Sequence, residues 1–264
     1  MRGLTGDGFI AREGSLDRVR APFDVVVDSV RRELGAWGGG LHSAYLYGSV
    51  PRGTAVAGVS DLDLLIALRR EPTDGDRAAA RAVEARVDAA FGQVDGVGVL
   101  LFSAEVLCSE LERYDLGWFV ACLCTPLTGL DLGAGLPRYR PDSLLARETN
   151  GDLALVLPQW ADRLAAGGEA ELLALSRIVA RRLVRTGFTL VMPRYGGWTS
   201  DLAESAEVFG AYYPQWADLM REAARIGRER TADPGALGEL VHGLGPWLAG
   251  EYAAVHGVKA PRPY

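Results

Sequence analysis

Read for its alternation of apolar and polar positions, the chain divides into two halves of different character. In the first half, residues 15–35 carry Val25, Val26, Val27, Val30 and Leu34 at helical spacing, with Ser15 or Asp17 as the cap, and predict a helix. Gly38, Gly39 and Gly40 end it. Three short apolar runs then predict strands over 43–47, 61–68 and 97–102, separated by a small-residue stretch at 50–60 and an Ala/Arg/Asp-rich helix over 73–91. A further helix is predicted from Ser103. In the second half the strand signals stop. Helices are predicted over 143–166, 169–186, 199–209, 214–229 and 234–255, with Pro214 and Pro234 at first-turn positions. Gly133, Gly135, Pro137 and Pro141 mark the expected boundary between 130 and 141, giving domains over 1–135 and 136–264.

Composition narrows the class. The 264 residues, 48% hydrophobic and 23% charged, suffice for a substantial core, which excludes disordered and collagen-like chains. No run reaches 18 apolar residues and the first fourteen have no apolar segment, so neither a membrane span nor a signal peptide is expected. Cys108, Cys122 and Cys124 form no disulfide framework, which points to the cytoplasm. The net charge of −6 argues against broad binding to nucleic acid. Among 28 basic residues only Lys259 is a lysine, so a cation needed elsewhere in the fold must be an arginine.

The chemistry is concentrated in Leu46-Tyr47-Gly48-Ser49-Val50-Pro51-Arg52-Gly53 and Ser60-Asp61-Leu62-Asp63-Leu64-Leu65. Gly48 lets a backbone approach a ligand closely, and Ser49 with the amides after it can hold phosphate oxygens. Asp61 and Asp63, two apart on a strand, share a face. Two adjacent carboxylates repel unless a cation lies between them, and hard oxygens beside a phosphate cradle suit Mg²⁺. Asp-x-Asp alone is commonly a solvated strand face; its order and spacing after Gly-Ser, between apolar flanks, is what singles it out.

This segment resembles the signature of the nucleotidyltransferase superfamily that includes DNA polymerase beta. The stretch from Ile178 to Met192, followed by Gly197-Trp198-Thr199-Ser200-Asp201, is similar to the helical domain of aminoglycoside adenylyltransferases, the streptomycin/spectinomycin type above all. The resemblance implies an α+β nucleotidyltransferase domain, a small mixed sheet flanked by helices, followed by an all-α helical bundle. It implies that Gly48, Ser49, Arg52 and Ser60 bind ATP, that Asp61 and Asp63 hold Mg²⁺, and that Arg185 contacts phosphate from the second domain. The expected activity is transfer of AMP from ATP to a hydroxyl of a small molecule, an aminoglycoside being the leading acceptor, in a pocket of acidic character. Two alternatives stand beside it: a nucleotide-binding protein with degenerate catalysis, and transfer to tRNA or to a protein.

Two departures bear on the alternatives. The superfamily usually places a third carboxylate on the next strand; here that position falls near Val97 or Gly98. Asp95 is the nearest acid and the candidate catalytic residue, with Glu105 and Glu148 as the other acids considered. Ser200 stands where the related enzymes carry a lysine. Elsewhere, His42, His242 and His256 lack ligand spacing, Cys122-Leu-Cys124 lacks the gap of a zinc knuckle, and Trp198, Tyr212, Tyr213 and Trp216 read as core or as an acceptor-pocket lining.

Overall fold

The computed structural model describes residues 2–35 and 37–260. Two compact units appear. One spans Ala11–Tyr139; the other joins the segment ending at Ile10 to the chain from Arg140 onward. A single cut between 135 and 136 does not foresee that N-terminal segment. It is held within the helical unit by an Arg2–Glu204 ion pair at 2.9 Å, by the Trp198 amide donating to Arg2 oxygen at 3.0 Å, and by Arg140 stacked 4.0 Å above the Phe9 ring.

The first unit is built on four strands: β1 (Leu41–Tyr47), β2 (Leu62–Leu68), β3 (Val97–Ser103) and β4 (Thr125–Gly129), in the order β3-β2-β1-β4. β1 runs antiparallel to β2 and β4, while β2 and β3 are parallel. A parallel pair needs a crossover, here α3 (Asp74–Ala90), whose Thr73 cap and Asp76 form a reciprocal capping box. Strand alternation sorts the side chains into two cores. Ala44, Leu46, Leu62, Leu64, Ile66 and Leu68 pack with Val26, Val30 and Leu34 of α1 (Asp24–Gly35) and with Val83 and Val87 of α3. Tyr45, Leu65 and Ala67 face the other way and meet Leu107 and Val120. These two come from α4 (Ala104–Leu107) and α5 (Leu116–Cys122), the latter, like β4, unforeseen in the sequence.

Pro22 interrupts the helix predicted over 15–35: a 3-10 turn at Leu16–Arg18 with Ser15 as its cap precedes, and the helix proper begins at Asp24. In the helical unit α6 (Ser143–Asn150) and α7 (Leu153–Ala166) replace the single helix predicted over 143–166. The central helix, α8 (Glu169–Tyr195), runs nine residues past its expected end, carrying the buried Phe188, Leu190, Val191 and Met192 into the core and passing Pro193 in its last turn. α9 (Leu202–Tyr212), α10 (Ala217–Glu229), α11 (Pro234–Gly238) and α12 (Gly245–His256) complete the bundle, with a π-helical stretch at Glu239–Leu244 before α12. Asn150 and Tyr252 each reach Thr189 Oγ1 at 3.0 Å, so the polar groups buried around α8 are bonded to one another. Among the described residues no helix is long and apolar enough to cross a membrane.

Candidate active site

The Gly-Ser turn follows directly from β1. Gly48 adopts φ 82° and ψ −152°, a region almost confined to glycine. A Cβ there would also stand 2.5 Å from Asp63 Oδ2, so the position needs glycine for both torsion and space. Ser49 opens α2 (Ser49–Arg52), a single helical turn that Gly53 closes at φ 74°. Val50 and Pro51 are buried and anchor the turn; Ser49 and Arg52 are half-buried. Arg52 Nη1 lies 3.8 Å from Glu13 Oε2.

Asp61 immediately precedes β2 and Asp63 is its second residue. Leu62 and Leu64 between and after them are fully buried against α1 and α3, which turns both carboxylates to the opposite face. Asp63 pairs with Tyr47 across β1 and with Gly98 across β3. The Asp63 carboxylate thus lies against the glycine of the Gly-Ser turn, and a Cβ at Gly98 would be 3.7 Å from its Oδ1. Both aspartates are half-buried.

The remaining expected residues fall as follows. The Ser60 hydroxyl accepts the Val56 amide at 2.9 Å and closes the turn that leads into Asp61. The Asp95 amide donates to Ser60 oxygen at 3.1 Å, so Asp95 stands level with Ser60, before β3 begins, and its side chain is exposed. Gly98, three residues further along and about 10 Å up the strand, is the residue opposite Asp63. Glu105 is exposed in the first turn of α4, beyond the far end of β3. Arg185 lies on the exposed side of α8, Glu148 on α6 pairs with Arg147 at 2.9 Å, and Ser200 precedes α9; all three belong to the helical unit. Trp198 is buried against Phe188, with ring centroids 5.6 Å apart. Tyr213 and Trp216 pack on Trp247. Burial raises the thiol of Cys122 to about 12 and that of Cys124 well above its ordinary value.

Among the described residues no cluster of three or more His, Cys, Asp or Glu side chains is poised around one point. Mg²⁺ does not require one: it keeps several waters and takes one or two carboxylates together with substrate phosphates. Asp61 and Asp63 beside the glycine turn supply that donor set, and the close approach of Gly48 to Asp63 leaves the space a side chain would fill. The residues fit the ion.

The sequence puts the missing third acid near Val97 or Gly98, and the strand register selects Gly98; the Glu13 contact is the part that sequence reasoning missed. Glu13 lies outside every motif.

With that geometry in place, the comparisons with known proteins fall into line. Residues 27–95, from α1 to the turn before β3, match the family model described as the nucleotidyltransferase domain. That match supports a transferase enzyme. Among solved structures the chain is similar to the crystal structure of spectinomycin adenyltransferase AAD(9) from Enterococcus faecialis with ATP and spectinomycin. The TM-score is 0.54 at 13% identity, covering 87% of this chain and 98% of that one. At that identity the likeness is one of fold: a small mixed sheet with flanking helices, then a helical region. No curated protein matches the chain by sequence.

Proposed function

We propose that this protein transfers AMP from ATP to a hydroxyl of a small molecule and releases pyrophosphate. The observation that carries the reading is the Asp63 carboxylate set against Gly48 at the Gly-Ser turn, within a nucleotidyltransferase domain. In this account the amides of the turn, Ser49 and Ser60 bind the triphosphate. Arg52 offsets phosphate charge. Asp61 and Asp63 hold Mg²⁺, which supplies charge neutralisation at the phosphates. The acceptor oxygen forms a bond to the α-phosphorus as the bond to the bridging oxygen of pyrophosphate breaks, and the hydroxyl proton passes to a base. Asp95 is the candidate base.

An aminoglycoside-type acceptor is supported by two facts. The similar structure contains spectinomycin beside ATP, and the chain's net charge of −6 favours a cationic small molecule over tRNA. ATP as donor accords with the cytoplasmic location expected from the cysteines.

The test is pyrophosphate release from ATP and Mg²⁺ with a panel of aminoglycosides, alongside Asp63→Asn. Acceptor-dependent release by the wild type and none by the variant supports the reading. ATP binding with no release from any acceptor favours the second reading, nucleotide binding with degenerate catalysis. The observation behind that reading is Gly98, a residue without a side chain, opposite Asp63.

A further inference from the structure

We propose that Glu13 is a positioning residue for the nucleotide site, acting through Arg52; this rests on the nucleotidyl-transfer reading above. Residues 11–18 form a strap across the single-turn helix α2. Its first part is fixed to α5 and β4. Arg12 forms a bidentate pair with Asp131 at 2.8 and 3.1 Å, and its Nε donates to Ala121 oxygen at 3.2 Å. The Glu13 amide donates to Cys122 oxygen at 2.9 Å. Gly14 then passes where a Cβ would run into Thr125 Oγ1 and come within 3.0 Å of Pro51 Cβ. From there the strap is fixed to α2: the Ser15 amide donates to Pro51 oxygen at 2.9 Å, and a Cβ on Gly53 would lie 2.9 Å from Arg18 oxygen. Arg18 Nη1 returns to Glu13 oxygen at 2.8 Å and ties the strap to itself.

The glutamate is therefore held by its backbone on both sides before its side chain reaches Arg52. Arg52 ends a helix of four residues, too short to fix a long side chain. A carboxylate of this strap, 39 positions away in the chain, stands opposite it, with Oε2 at 3.8 Å from Nη1. The two side chains are 17% and 26% exposed, so solvent screens the pair less than it screens a surface pair. A guanidinium has five donors in a rigid plane and stays charged, so a carboxylate at ion-pair distance draws it to one side without exhausting its donors. Arg52 biased this way meets an incoming triphosphate with fewer rotamers to give up, which lowers the ordering cost of binding.

The experiment is a double-mutant cycle on the full chain, read as affinity for ATP–Mg²⁺ by calorimetry. Wild type, Glu13→Gln, Glu13→Asp, Arg52→Gln and the Glu13→Gln/Arg52→Gln pair are compared, with thermal unfolding to establish that each is folded. We expect Glu13→Gln to weaken ATP binding about fivefold, the upper range for a partly exposed ion pair. Glu13→Asp recovers part of the loss, and Glu13→Gln has no further effect once Arg52 is glutamine. In turnover, the nucleotide KM rises while the acceptor KM does not. A loss of the same size with and without Arg52, or none at all in Glu13→Gln, overturns the proposal. A wild-type chain that binds no ATP overturns the reading of the site itself, a result separate from additivity in the cycle.

Discussion

Replacing Gly48 by alanine tests the site at its tightest point. The backbone there is at φ 82° and ψ −152°, and forcing a Cβ-bearing residue into that region costs about 1–3 kcal/mol. The added carbon would stand 2.5 Å from Asp63 Oδ2, against 3.4 Å for an ordinary contact, so the carboxylate must retreat by about 0.9 Å. The obstacle is a short side chain on a strand paired on both sides, which has little freedom to move; overpacking of this kind costs about 1–3 kcal/mol. Together these give about 2–6 kcal/mol, a fall in melting temperature of about 4–24 °C for a chain of this size. Displacing the carboxylate by that distance should also cost about 100-fold in turnover, since misplacement near 1 Å disrupts reacting geometry. Gly53→Ala is the control: φ is 74° and a Cβ would meet Arg18 oxygen at 2.9 Å, yet no carboxylate is touched. It should lose comparable stability and keep far more activity. The assay is a thermal melt with pyrophosphate release at a temperature where both variants are folded. If Gly48→Ala melts within a degree of wild type, or turns over as fast as Gly53→Ala, the reasoning is refuted.

Three further outcomes are expected. Asp61→Asn and Asp63→Asn should each lower transfer by about 10²–10³-fold, the cost of removing one charge-stabilising group, with circular dichroism unchanged. Gly98→Asp places a carboxylate beside Asp63, so it should lower the melting temperature in EDTA and recover much of the loss in Mg²⁺; equal melting in both would argue against an ion at Asp63. His256 is buried, with its ring bonded to Leu190 oxygen at 2.9 Å and Ser143 Oγ at 3.0 Å, and burial depresses its pKa below 6.5. The unfolded imidazole then takes up a proton first, so the stability this residue contributes is full above pH 6.5 and is lost as pH falls toward the folded value. His256→Gln should flatten that acid limb of a pH–melting profile.

The residues of the nucleotide motif could be read from the sequence because their signals are local. A strand end, a Gly-Ser turn and an apolar-flanked Asp-x-Asp each lie within a few residues, and Thr73 with Asp76 announces α3 in the same way. What could not be read depends on contacts between distant residues. β4 is five residues long with Pro126 inside it, and shows no alternation to distinguish it from a loop. The break between α6 and α7 comes at Gly151, where a Cβ would be 2.8 Å from the Lys259 amide, more than a hundred positions away. The C-terminal extension of α8 passes Pro193, which reads as a stop, while Leu190, Val191 and Met192 before it are fully buried. At the site, Asp61 and Asp63 were legible, whereas Gly98 as the partner of Asp63 depends on the β2–β3 register and Glu13 on a strap whose partners are scattered from Pro51 to Asp131.

The central claim is that this chain moves an adenylyl group and does so through Asp63. The most direct measurement follows the α-phosphate of labelled ATP in the presence of Mg²⁺ and the acceptor panel, with wild type and Asp63→Asn compared side by side. The account predicts label covalently attached to an acceptor, with one pyrophosphate released per label transferred, in wild type alone. Label that stays in ATP with every acceptor while ATP binds, or label transferred equally by Asp63→Asn, would contradict it.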